Sequence, residues 1–177
     1  MTRSVLLLRA VNVSGRNSVP MARLRELLAS ETDLVNVSTY IASGNIICDT
    51  PADTASACAR VRGVVAADFG VDTPVIARTH DELVAALAAH PFDDGVEKLV
   101  HAMFLEDEPA GGAVEALRER LVPGEDLALV GRDLWISYSE SGVHSTKLTK
   151  AVLDRALGVA GTARNLRTTR KLAELTA

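Results

Sequence analysis

The residues whose types could do chemistry lie in two sets at the ends of the chain. The first is Arg9, Asn12, Arg16 and Asn17, in Leu8-Arg-Ala-Val-Asn-Val-Ser-Gly-Arg-Asn17, with Ser43 and Asn45 in a second polar turn. The second is Lys147, Lys150, Arg164, Asn165, Arg167 and Lys171. Residues 1–29 carry five arginines against Glu26 alone, and residues 144–171 carry seven Lys/Arg against Asp154 alone. Between them, residues 30–143 hold seven basic and twenty acidic residues, so the formal net charge of −4 conceals basic ends and an acidic centre. Cations in such sets neutralise a phosphate or carboxylate, arginine with two parallel hydrogen bonds, while Asn and Ser orient the ligand. The same asymmetry also arises when the ends pair internally with the middle.

Other chemistries find less support. The four histidines, His80, His90, His101 and His144, form no i, i+4 pair and have no cysteine pair beside them, so no metal site is expected. His144-Ser145 beside Lys147 has the types of a base and a nucleophile, but no G-x-S-x-G context surrounds it, and a helix-capping serine is the simpler reading. The N-terminal loop lacks both G-x-x-x-x-G-K-[S/T] and G-x-G-x-x-G, so no cofactor is implied. With aromatics at 3% the chain is poor in base-stacking platforms, which argues against recognition by stacking on a sheet and leaves nucleic acid a weakly supported partner, bound through its backbone. Cys48 and Cys58 allow at most one bridge and read as reduced thiols. Val5–Leu8 is too short for a signal-peptide core, and no apolar run nears the roughly 20 residues of a membrane helix. A cytoplasmic protein without a membrane partner is the expectation.

The elements that must hold these residues follow from periodicity. A buried strand over about 4–10 runs into a polar loop, and Pro20 opens a helix over about 20–30 with Met21, Leu24, Leu27 and Leu28 on one face. Val35-Asn-Val37-Ser-Thr39-Tyr-Ile41 alternates as a half-buried strand, Ser43-Gly44-Asn45 turns, and Ile46-Ile47-Cys48 returns. A helix over about 53–69 is predicted on Ala55, Cys58, Val61, Val65 and Phe69, then a strand at 74–78. This is β-α-β-β-α-β, the ferredoxin-like order. Thr79-His-Asp81-Glu82 is a capping box opening a short helix. Strand 99–105, helix 112–121, a hairpin about Gly131-Arg132 and a helix at 146–157 repeat the order without a visible sequence repeat. The fold class is therefore α+β, a duplicated ferredoxin-like sandwich whose second half lacks its last strand. The expected divisions are 1–78, a connection at 79–98, 99–158, and a basic tail with a short helix at 159–177.

Acids are favoured in the first turn of a helix and bases disfavoured there by about 0.3–1 kcal/mol each. The helices predicted to start near Asp53, Asp81-Glu82 and Glu115 obey this; those starting near Arg16–Arg25, Lys147–Lys150 and Arg164–Arg167 do not. A bound anion shared by the two ends would compensate the misplaced cations. The leading expectation is a binding module for a phosphorylated ligand, a nucleotide or a nucleic-acid backbone, with the twelve residues named above lining its site. One alternative is an enzyme acting on a phosphorylated small molecule, with Lys147 or His144 as acid/base. The other is a homo-oligomeric or protein-interaction module whose basic ends dock on a partner's acidic centre.

Four motifs carry a resemblance. Leu7-Leu8-Arg9-Ala-Val-Asn12-Val13-Ser-Gly15-Arg-Asn17 through Pro20-Met21-Ala-Arg-Leu24, and Thr39-Tyr40-Ile41-Ala-Ser43-Gly44-Asn45, resemble the family called Domain of Unknown Function 1697. So do Ser145-Thr-Lys147-Leu148-Thr-Lys150 and Thr162-Ala-Arg164-Asn165 through Lys171-Leu172. A typical member has Gly-Gly after the Asn-Val pair and an aromatic after Arg-Asn, where this chain has Ser14 and Leu166. The resemblance implies a bacterial cytoplasmic protein of duplicated ferredoxin-like fold. It implies no activity and no catalytic residues, but its motifs coincide with both basic ends.

Overall fold

The computed structural model describes residues 1–177. The chain divides into two compact units: Met1–Val84 with Leu172–Ala177, and Ala85–Lys171.

Unit 1 begins with β1 (Thr2–Leu8), whose run Val5–Leu8 is fully buried on both of its faces. A strand apolar at every position has no side to give to water, which is why alternation is missing from it. After β1 come α1 (Met21–Glu31), β2 (Val35–Tyr40), β3 (Asn45–Thr50), α2 (Thr54–Phe69) and β4 (Val75–Thr79). The sheet has the order β2-β3-β1-β4 with every neighbour antiparallel. Leu6, Leu8, Ile46 and Cys48 of the sheet pack with Leu24, Leu27 and Leu28 of α1 and with Ala57, Val61, Val64 and Val65 of α2. Of the predicted α2 stripe, Cys58, Val61, Val65 and Phe69 pack on this core, Ala55 is exposed, and Ala57 and Val64 widen the buried face. Asp53 caps α2 by accepting from the Ser56 N–H at 3.2 Å, and Gly70 ends it at φ 65°.

The helix α3 (His80–Ala89) follows β4 directly. Unit 2 then contains β5 (Val100–Leu105), α4 (Ala113–Arg118), β6 (Asp126–Val130), β7 (Asp133–Ser137), a 3-10 turn at Gly142–His144 and α5 (Lys150–Leu157). After these come β8 (Gly161–Asn165) and α6 (Leu166–Leu175). The second sheet has the order β6-β7-β5-β8, again antiparallel throughout. The expectation that the second half lacks its last strand is therefore corrected. Gly161-Thr-Ala-Arg-Asn165 pairs with β5 from His101↔Asn165 to Leu105↔Gly161. An edge strand of small and polar residues carries neither alternation nor β-branched enrichment, so periodicity does not reveal it. Gly161 lets β8 lie close against β5, since a Cβ there would sit 2.8 Å from the side-chain ends Leu105 Cδ2 and Met103 Cε, which would have to shift to admit it. Met103, Leu105, Leu134, Ile136 and Tyr138 form the core of this unit with Leu117 of α4 and Leu153 and Leu157 of α5. Both units are mixed α+β, with two four-stranded antiparallel sheets and six helices in the whole chain.

Candidate functional site

The twelve candidates divide six and six between the units, and each set is built differently. In unit 1 the chain leaves β1 into a segment of unusual backbone. Ala10, Asn12, Ser14, Gly15 and Asn17 all take positive φ, between 49° and 73°. Arg16 N–H donates to Val13 O at 2.9 Å and Asn12 N–H to Asn17 O at 3.0 Å. With positive φ at both central residues, Val13-Ser14-Gly15-Arg16 has the signature of a type I′ turn, so residues 12–17 form a miniature β-hairpin. A reading by periodicity sees only a polar loop; the Ser-Gly pair is the signal that could have located the turn.

Asn12 is the anchor of this hairpin. Its Nδ2 donates to Val19 O at 2.9 Å and to Ala42 O at 2.7 Å, and its Oδ1 accepts from Val19 N–H at 2.8 Å. Both amide protons are committed to backbone, so Asn12 shapes the loop. Asn17 Nδ2 donates to Ala10 O at 2.9 Å and closes the base of the hairpin. Arg9 is half-buried, and its carbonyl accepts from Thr73 Oγ1 at 2.6 Å. Arg16 is exposed on the hairpin.

Ser43 lies in the adjoining turn between β2 and β3, and Asn45 is the first residue of β3. Asn45 is buried, and its Nδ2 donates to Tyr40 O at 2.9 Å and Ser43 Oγ at 3.0 Å, so these two residues hold the turn. Gly44 O accepts from Leu8 N–H at 2.8 Å, and Ile41 holds φ 49°, a costly value for a β-branched residue. Five of the unit 1 candidates therefore belong to one loop cluster beyond the C-terminal end of β1, and Asn45, opposite Leu7 at the start of β3, borders it. The helix that follows it, α1, has no side-chain cap at Pro20 and no acid in its first turn. Among its neighbouring arginines, Arg23 pairs with Glu26 at 3.1 Å and Arg25 donates to Thr39 Oγ1 at 2.6 Å.

In unit 2 the cations are more committed. Arg164 lies in β8, not at the start of a helix as its sequence neighbours suggest, and is 7% exposed. Its Nη1 donates to Thr162 Oγ1 at 2.8 Å and Ala163 O at 2.9 Å, and burial pulls its guanidinium down to about 10, still charged at neutral pH. Asn165 accepts from Thr168 N–H at 2.8 Å and caps α6. Glu97 pairs with Arg170 and lies 4.0 Å from Arg167. That counter-ion is 70 residues away in sequence from Arg167 and has no local signal. Lys171 is half-buried, while Lys147 and Lys150 are exposed, Lys150 opening α5 behind the cap Thr149. The predicted helix at 146–157 is thus shorter, with Leu148 N–H donating to Thr146 Oγ1 ahead of it.

Two further features of unit 2 lie outside the predicted set. A cleft of about 360 Å³ beside α4 is lined by Glu108, Glu115, Pro109, Val114 and Leu129, and none of the twelve candidates lines it. Its carboxylates suit a cation rather than an anion. At one end of the sheet, His101 meets Tyr138 edge-on with ring centroids 5.0 Å apart. Burial holds the His101 imidazole down to about 4 and, with the charge of Glu125, lifts the Tyr138 phenol to about 12. No group of three His, Cys, Asp or Glu side chains is arranged to hold a metal ion, and no helix is long and apolar enough to cross a membrane.

The architecture is similar to that of a conserved bacterial protein from Streptococcus pneumoniae of known structure. The two share 24% identity over 99% of each chain, with a TM-score of 0.73, a likeness of fold. No curated protein matches the chain. Residues 1–135, which include the hairpin, its Asn12 anchor and the Ser43–Asn45 turn, match the model of a protein family of unknown function, and the chain belongs to that family, DUF1697.

Proposed function

We propose that this chain is a cytoplasmic binding module for a phosphorylated ligand, a nucleotide or a nucleic-acid backbone, built as two ferredoxin-like halves and using its basic ends. The strand orders β2-β3-β1-β4 and β6-β7-β5-β8 support the duplication, since each is the sheet that a β-α-β-β-α-β chain of that kind makes. The observation that carries the binding reading is in unit 1. A backbone-bonded hairpin presents Arg16 to solvent just ahead of a helix with neither a cap nor an acid in its first turn. Free N–H groups and the positive end of the helix dipole favour an anion there, and Arg16 supplies a fork of donors. In this reading Asn12, Asn17 and Asn45 position backbone rather than touch the ligand. Lys147 and Lys150 support a second anion position at the start of α5.

The test is a thermal-shift screen with inorganic phosphate, nucleotides, sugar phosphates and short oligonucleotides at low and moderate salt. A ligand that binds only the folded state raises the midpoint by mass action. The expected outcome is a salt-sensitive rise with one ligand class. Arg16→Ala should abolish it while leaving the ligand-free midpoint unchanged, because its side chain is exposed. A flat response across all four classes would sink the proposal.

A further inference from the structure

The last six residues, Leu172–Ala177, belong to unit 1, whereas the residues leading to them belong to unit 2. They form the end of α6 and the turn beyond it, and Leu172, Ala173 and Thr176 are buried. Thr176 N–H donates to Leu172 O at 3.1 Å, and Thr176 Oγ1 lies 2.9 Å from Leu172 O and 3.1 Å from Ala173 O. These carbonyls are among the four at a helix end that lack an intrahelical partner.

A side chain from another helix completes the set. His80 is the first residue of α3, and its Nδ1 lies 3.0 Å from Ala173 O and 3.3 Å from Thr176 Oγ1. A carbonyl oxygen only accepts, so Nδ1 carries the proton and donates to Ala173. The ring stands on a fixed base. Thr79 N–H donates to Glu82 Oε2 at 2.8 Å and Glu82 N–H to Thr79 Oγ1 at 3.2 Å, a reciprocal capping box around the residue that bears it. The donor also meets the negative end of the α6 dipole, where a donated proton is most favourable.

We propose that Leu172–Ala177 is a strap that His80 latches onto unit 1, and that it opens as a local unit while the β1 sheet stays folded. A terminal segment of six residues, held to the rest of unit 1 by the His80 ring and by the buried side chains of Leu172, Ala173 and Thr176, has far fewer interactions than the central strand, and such segments open with less free energy than the whole domain.

Native-state hydrogen exchange on the full chain tests this. The amides of Thr176 and Ala177 are bonded to Leu172 O and Glu174 O, so their exchange reports opening of the strap. His80→Ala should speed both by roughly tenfold, the worth of one well-placed bond, and leave the β1 amides within about twofold of wild type. Thr176→Val keeps the shape, removes the hydroxyl and should speed Ala177 in the same way. Combined, the two substitutions should give less than the product of their separate effects, because they share Ala173 O. Unchanged strap exchange in His80→Ala, or an equal rise in β1, would overturn the proposal.

Discussion

Several side chains whose types suggest ligand chemistry are spent on backbone. Asn12 makes three hydrogen bonds to Val19 and Ala42, and Asn45 is buried with two. Asn12→Ala should therefore cost about 2–3 kcal/mol in chemical denaturation, near 1 kcal/mol per lost bond, and should weaken anion binding by loosening the hairpin. Gly44 gives a sharper case. Its φ is +85°, and a Cβ would sit 2.7 Å from Leu8 Cβ and 2.8 Å from Val11 Cγ2, neither of them the far end of a flexible chain. Gly44→Ala should destabilise unit 1 by several kcal/mol, combining left-handed strain with overpacking. A denaturation midpoint near that of wild type would show that the turn can move away from β1. Serine, glycine and asparagine are legible in a sequence as turn formers. Whether a given asparagine faces ligand or its own backbone depends on residues such as Ala42, 30 positions away.

At the scale of elements, apolar periodicity located most helices and strands, because a helix stripe or an apolar run must be buried to form at all. It failed at β8, where pairing with β5 does what propensity does not. The failure hid a short likeness between the halves. Ala77-Arg78-Thr79 ends β4 and Ala163-Arg164-Asn165 ends β8, and each runs straight into a helix. Arg78 and Arg164 are both buried, each with Nη1 2.9 Å from the carbonyl of the preceding alanine, and Thr79 and Asn165 each cap the helix that follows. The charge of Arg164 is thus part of the fold of unit 2, and Arg164→Ala should lower the ligand-free melting point. Asn165→Ala should cost about 1 kcal/mol through loss of the α6 cap. If Arg164→Ala instead melts like wild type and loses only anion affinity, the guanidinium belongs to a ligand site.

For the whole molecule, the basic ends and acidic centre are only partly a matter of a missing partner. Arg3 pairs with Asp49 and Arg170 with Glu97, so some end charges already meet the middle within their units, and Arg60–Asp33 and Arg62–Asp72 pair charges inside the middle itself. These pairs are largely exposed and contribute little each. The pH dependence of stability should instead be dominated by groups buried in their neutral forms. His101 titrates near 6.5 when unfolded and is held down to about 4 in the fold. Below pH 6.5 the unfolded chain therefore binds a proton that the folded one refuses, and stability falls until about pH 4, by at most about 3 kcal/mol. On the alkaline side the signs reverse. Cys48 is lifted from 9.0 to about 12 by burial, and Tyr138 from 10.0 to about 12, so the unfolded chain loses these protons first and stability falls above pH 9. Asp49 and Asp72, lowered from 3.8 by hydrogen bonds from Asn36 and Arg62 respectively, add a separate acid limb at still lower pH. The expected curve of melting midpoint against pH is flat from about 6.5 to 9 and drops on both sides. His101→Phe keeps a ring against Tyr138 and removes the titration, so its curve should stay flat down to about pH 4. Were the drop below 6.5 to persist in that variant, the acid sensitivity would belong to groups other than the buried imidazole.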